Sequence, residues 1–156
     1  VLGLLEMYTL SMEDFILEDR LELSREIHFS CGHRYYRKDW SLEKNKSVFG
    51  SCYSPAGHGH NFRLQASFTG KLDPETGMIV DLRKIDKILK EVTDLLDHKF
   101  LNQDLKEFSK LVPTTENVLI FLRTKVLENL KEKDYVTLSS LRLFETDNLW
   151  VEWKNG

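Results

Sequence analysis

The stretch Gly57-His58-Gly59-His60-Asn61-Phe62-Arg63-Leu64-Gln65-Ala66-Ser67-Phe68 decides how this chain is read. Phe62, Leu64, Ala66 and Phe68 alternate with Arg63, Gln65 and Ser67, the period-two pattern of a half-buried β-strand. His58 and His60 share the parity of the apolar residues, so both imidazoles point inward at the start of the strand, separated only by Gly59. Two buried imidazoles need partners. A shared metal ion satisfies both, and a third histidine would complete the three-ligand shell of a catalytic zinc, with one position open for substrate.

Upstream, Leu21, Leu23, Ile27, Phe29 and Cys31 describe a strand with one irregularity, ending near His33. His33 is the best third ligand, because its strand can lie beside the first. His28, which shares the ligand parity only if the strand stays regular, is the weaker candidate. The segment from Arg34 to Pro55, rich in Lys, Arg, Ser and Asn, reads as one long loop of a kind usually functional or mobile. Downstream, Asp73-Pro74-Glu75-Thr76-Gly77 is a turn and Met78-Ile79-Val80 a short strand.

Asp81 caps a helix whose apolar stripe is Leu82, Ile85, Ile88, Leu89, Val92, Leu95 and Leu96. A second helix begins after Pro113, with Thr114 or Thr115 as cap and Val118, Leu119, Phe121, Leu122, Val126, Leu127 and Leu130 as its stripe. Strands at about Tyr135–Glu145 and Leu149–Lys154 close the chain, separated by a turn at Thr146-Asp147-Asn148. The order ββααββ predicts an α+β fold, an antiparallel four-stranded sheet with both helices on one face.

The 156 residues suit one domain over residues 21–156, preceded by an N-terminal extension, residues 1–20. A formal net charge of −3 gives no reason to expect nucleic acid or an anionic membrane as partner. No apolar run nears the roughly 20 residues of a membrane span. Val1-Leu2-Gly3-Leu4-Leu5 is too short for a signal peptide, lacks a basic flank and is followed by acidic residues. Cys31 and Cys52 need not form a disulfide in a chain with an ample core, and a reducing, cytoplasmic setting is the default.

Several residues carry chemistry in more than one reading. Cys52, six residues before His58, is a fourth metal ligand, an inert thiol, or a base whose thiolate a nearby cation would favour. Cys31 reads as a core residue. Asp97-His98 is either a solvated helix end or a carboxylate orienting an imidazole for proton transfer. Glu145 is either exposed by a turn or turned inward, where it suits a planar heterocycle bearing N–H groups. Thr114-Thr115-Glu116-Asn117 is explained by a helix cap.

Taken together, Phe29-Ser30-Cys31-Gly32-His33-Arg34, Val48-Phe49-Gly50-Ser51-Cys52, Pro55 to Asn61, Gly77 to Leu82, Leu96 to Lys99, Thr114 to Val118 and Phe144 to Asn148 resemble, in order, the 6-pyruvoyl tetrahydropterin synthase family. That family includes the 6-carboxytetrahydropterin synthases of queuosine synthesis. The resemblance implies the tunnelling fold, whose subunits join their sheets into a barrel, commonly a homohexamer of two stacked trimers. It implies zinc on His33, His58 and His60, Cys52 as catalytic base, and Asp97 and His98 as a relay. It implies that Glu145 anchors the pterin ring with help from Thr114 and Thr115 at a subunit interface. The substrate it implies is 7,8-dihydroneopterin triphosphate, and the gap from Cys52 to His58 resembles that of the pyruvoyl-forming members. A non-catalytic pterin- or metal-binding relative is the contrasting expectation, against which the intact Cys52, Asp97 and His98 speak. The basic run of Arg34, Arg37, Lys38, Lys44 and Lys46 is a candidate for holding the triphosphate or is a solvated loop.

Overall fold

The computed structural model describes residues 21–130 and 136–156, so the extension 1–20 and Tyr135 lie outside the described residues. Strand β1 (Glu22–His33) is followed by helix α1 (Leu42–Phe49) and strand β2 (His58–Gly70). Then come helix α2 (Leu82–Asp94), a two-residue strand β3 (Lys99–Phe100), one helical turn α3 (Leu101–Asp104) and helix α4 (Thr115–Asn129). The hairpin β4 (Val136–Thr146) and β5 (Leu149–Lys154) completes the order.

The H-G-H strand, β2, is central in a sheet ordered β3-β1-β2-β4-β5. The α+β class stands, but the sheet is five-stranded and mixed, not four-stranded and antiparallel. β3 adds to the edge of β1 in parallel, with Cys31 opposite Lys99 and Gly32 opposite Phe100. Two residues carry no readable period, and the cause of the pairing is local packing. The Phe100 ring occupies space that Gly32 and Gly57 leave bare, where added Cβ atoms would lie 3.1 and 2.5 Å from ring carbons.

β1 runs against β2 without a break, from Glu22 opposite Thr69 to His33 opposite His58, so the expected irregularity is absent. Arg25, a charge at an inward parity, is held by Asp86 of α2 at 2.6 Å instead of being turned out by a slip. The same regularity excludes His28, since residues five apart on a regular strand face opposite ways. Its exposed ring pairs with Glu26 at 2.9 Å.

Both long helices lie on one sheet face. Ile85, Leu89 and Val92 from α2 and Val118, Leu122 and Val126 from α4 are buried with Phe62, Leu64, Phe68, Leu141 and Leu143 of the sheet. Leu82, Leu95 and Leu127, expected on the stripes, stay exposed. Asp81 accepts from the Arg83 N–H and Thr114 from the Asn117 N–H, which caps each helix where the sequence places it. A register shift leaves Ser139 extra between β2 and β4, so Leu138 and Leu141 both reach the core. Beyond it, Leu143 and Glu145 continue inward.

Two other expectations fail. The segment 34–55 contains α1 and a 3-10 turn, Gly50–Tyr53, rather than being all loop. Its organiser is polar: buried Asn45 accepts from the Arg37 N–H and donates to the carbonyls of Arg37, Trp40 and Ser41. No apolar stripe therefore announces the helix. Met78-Ile79-Val80 pairs with no strand among the described residues, and only Val80 is buried, just before the Asp81 cap.

Gly57 has φ +67° and the Phe100 ring against its α-carbon, whereas Gly50 has φ +56° and open space. Gly57→Ala is expected to cost about 2–4 kcal/mol, combining overpacking with left-handed strain. Gly50→Ala should cost only about 1 kcal/mol. Equal losses in urea denaturation would mean that contact with Phe100 does not constrain the entry to β2.

Candidate active site

The β1–β2 register sets His33 across from His58 and Cys31 across from His60, all on the inner face. The three imidazole centroids are 4.6 Å (33 to 58), 5.2 Å (33 to 60) and 5.0 Å (58 to 60) apart. Glu145 joins them from β4, and one possible ligand atom from each of the four residues lies within 4.8 Å of the others.

His33 is fully buried, and its Nδ1 lies 2.8 Å from the carbonyl of Pro113, the residue before the α4 cap. That bond places the proton on Nδ1 and leaves the Nε2 lone pair facing the other rings. Burial pushes His33 down to about 4, against the opposing effects of the Pro113 carbonyl and Glu145; His58 and His60 add to the lowering. Burial also lowers His60, Glu145 opposing and His58 assisting. Both rings are therefore neutral at neutral pH, the form that binds metals.

The Nε2 atoms of His33 and His60 are buried without a hydrogen-bond partner. His60 Nε2 is 3.3 Å from Glu145 Oε1, close but without hydrogen-bond geometry. Orphaned acceptors of this kind are rare in a folded core and fit a site that could hold a metal ion.

Glu145 faces inward, buried, and accepts a hydrogen bond from the Thr115 hydroxyl. Thr114 is the helix cap. Cys52 is half-buried on the 3-10 turn and lines a cavity of about 390 Å³ with Tyr35, Phe49, Thr114 and Thr115. Cys31 is buried, and burial first, then Asp97 and Glu145, push its thiol up to about 12, consistent with an inert core residue. Both cysteines are free.

Asp97 and His98 form a pair elsewhere, at the β1 edge. The Asp97 carboxylate accepts from the Ser30 N–H at 2.8 Å and lies 2.9 Å from His98 Nδ1. His98 takes φ +58°, and its N–H donates to the Ser30 carbonyl at 2.6 Å. Its exposed ring borders a cleft on the other sheet face, lined also by Asn61, Gly59 and Phe100. Within one chain, the cavity lined by Cys52 does not include this pair.

Residues 22–155 match the family described as 6-pyruvoyl tetrahydropterin synthase. The chain belongs to that family. A 6-pyruvoyl tetrahydrobiopterin synthase of Pongo abelii is 40% identical over 135 residues, covering 85% of this chain and 90% of the relative. The solved 6-pyruvoyl tetrahydropterin synthase of Caenorhabditis elegans superposes with a TM-score of 0.82 at 31% identity, over 88% of this chain and 97% of that one. A 6-carboxy-5,6,7,8-tetrahydropterin synthase of Rickettsia typhi is 29% identical over 148 residues, covering 85% of this chain and 99% of that protein. Family membership makes the chain a lyase of pterin metabolism. No helix among the described residues is long and apolar enough to cross a membrane.

Inside this family frame, sequence reading missed two supports of the site. The Pro113 carbonyl is invisible because any residue supplies one. Tyr35 lies edge-on to His33, and its hydroxyl is 3.3 Å from the Thr115 N–H and 3.5 Å from the Thr115 hydroxyl. It continues the parity of Cys31 and His33, which could have singled it out.

The Asp97 carboxyl is held below its ordinary 3.8, chiefly by the Ser30 N–H and then by His98, burial opposing. A folded-state value below the unfolded one contributes stability above the ordinary value, lost as pH falls through the folded value. The melting-temperature gap between wild type and Asp97→Ala should therefore be largest near neutrality and narrow in acid. A gap independent of pH would contradict this account of the pair.

Proposed function

We propose that this chain is a zinc-dependent lyase converting 7,8-dihydroneopterin triphosphate to 6-pyruvoyl tetrahydropterin with release of triphosphate. The observation that carries the reading is the convergence of three imidazoles, two of them with buried and unpartnered Nε2 atoms. An all-imidazole shell suits zinc, which when bound supplies a Lewis acid that polarises the substrate's side-chain oxygens and acidifies the adjoining C–H.

The chain's own residues then divide the work. Glu145, steadied by Thr115, accepts two parallel hydrogen bonds from the pterin N–H groups, with the Thr114–Thr115 backbone beside it. Cys52, as thiolate, removes the side-chain proton. That electron pair passes into the ring, which takes up a proton and leaves a carbonyl on the side chain. Loss of a second side-chain proton, from the carbon beside that carbonyl, then expels triphosphate and leaves an enol that ketonises. His98, oriented by Asp97, returns a proton. The side chain is oxidised as the ring is reduced, so no external redox cofactor is needed.

The oligomer is part of the proposal. The β5 edge and the β1 edge beyond β3 are unpaired among the described residues, which suits closure into a barrel by neighbouring copies. In a homohexamer of two stacked trimers, the Asp97–His98 pair of one copy can meet the Cys52 cavity of another. That would join what one chain keeps apart.

The six-residue gap from Cys52 to His58 and the greater identity to the pyruvoyl-named relative support the pyruvoyl product. Mass analysis after incubating zinc-loaded protein with 7,8-dihydroneopterin triphosphate should find 6-pyruvoyl tetrahydropterin and triphosphate. A carboxy product with acetaldehyde would assign the chain to the other branch, and no turnover would leave a pterin- or metal-binding protein. Cys52→Ala should retain zinc and lose turnover; normal turnover would remove Cys52 from the role of base.

A further inference from the structure

Tyr35 touches three parts of the candidate site at once. Its N–H donates to the Cys52 carbonyl at 2.9 Å, its ring lies edge-on to His33 with centroids 5.2 Å apart, and its hydroxyl reaches Thr115 of α4. It also lines the Cys52 cavity beside Thr115. The backbone and ring of Tyr35 thus serve the base and the histidines, and the hydroxyl is left over.

Thr115 is the first residue of α4, so its N–H has no acceptor inside the helix. The Tyr35 oxygen accepts from that N–H at 3.3 Å. The Thr115 hydroxyl has a single hydrogen, and it goes to Glu145 Oε2. The 3.5 Å contact between the two hydroxyls therefore has one direction, with Tyr35 as donor and Thr115 Oγ1 as acceptor. Tyr35 O–H, Thr115 O–H and the Glu145 carboxylate form a one-way series in which each donor polarises the next. At 3.5 Å the outer link is long for an O–H···O bond, so it steers the Thr115 hydroxyl more than it adds energy.

That steering matters because Thr115 is the sole hydrogen-bond donor to Glu145 among the described residues. Oε1 of the same carboxylate lies 3.3 Å from His60 Nε2, but without hydrogen-bond geometry. A carboxylate that receives two parallel N–H bonds must have its plane held. We infer that Tyr35 is a positioning residue for the pterin anchor: its hydroxyl commits the Thr115 hydrogen to Glu145 and so fixes the plane of that carboxylate. With the phenol oxygen removed, the Thr115 N–H loses its acceptor and the Thr115 hydroxyl is free to turn. The contacts of Tyr35 with His33 and Cys52 do not use that oxygen. The inference rests on the lyase reading and deepens its account of the anchor.

The test uses the assembled, zinc-loaded protein and neopterin, a fluorescent pterin without phosphate, as the probe. Tyr35→Phe should weaken neopterin binding about three- to tenfold, the range of one hydrogen bond. Zinc affinity, measured by chelator competition, should be unchanged; a parallel loss of zinc would make Tyr35 a support of the histidines and overturn the inference. Because Tyr35 acts through Thr115, Tyr35→Phe should add little in a Thr115→Val background and keep its effect in a Thr115→Ser background. Equal neopterin affinity in wild type and Tyr35→Phe would overturn the role, as would losses that multiply in full in Tyr35→Phe/Thr115→Val. With 7,8-dihydroneopterin triphosphate, Tyr35→Phe should raise KM more than it lowers kcat. Turnover by wild type with KM unaltered in Tyr35→Phe would refute the positioning role and spare the lyase. Neopterin binding that depends on the Tyr35 hydroxyl, without turnover, would refute the lyase and spare the positioning role.

Discussion

The unbroken antiparallel register of β1 on β2 is the constraint on which the rest of the site depends. Twelve residue pairs run from Glu22–Thr69 to His33–His58 without a bulge. One slip would turn every side chain of β1 to the opposite face and send His33 away from His58. The register is held by what it buries: Phe29 stacks on Phe62 at 5.4 Å, and Phe62 and Leu64 are wholly buried against the helices. Apolar burial lower on the sheet therefore fixes where the three histidines meet at its end.

The beginning of α4 supplies the second requirement. Its Pro113 carbonyl orients His33, Thr114 caps the helix, and Thr115 donates to Glu145. One turn of backbone is at once a helix end and the support of the histidine cluster. A helix cap accounts for Thr114 but not for Thr115, which is buried between Tyr35 and the Glu145 carboxylate.

The legible parts of the sequence are those with a period or a cap. The alternation from His58 to Phe68, the helices capped at Asp81 and Thr114, and the closing hairpin appear where their patterns place them, although Leu82, Leu95 and Leu127 fall outside the buried stripes. Phe100 and Asn45 were not legible, because each acts through one tertiary contact: a ring on two glycines, and an amide that closes a polar loop. His33, His58 and His60 converge, and Glu145, read from the sequence as a pterin anchor and not as a neighbour of the metal ligands, joins them. Asp97 and His98 form their pair but remain at the sheet edge, away from the Cys52 cavity.

X-ray absorption at the zinc edge of the metal-loaded protein tests the histidine centre most directly. The expected first shell is three imidazole nitrogens at about 2.0–2.1 Å with one light-atom ligand at the open position. A sulfur scatterer at about 2.3 Å would contradict it, because it would put a cysteine in the shell and remove Cys52 as the free base.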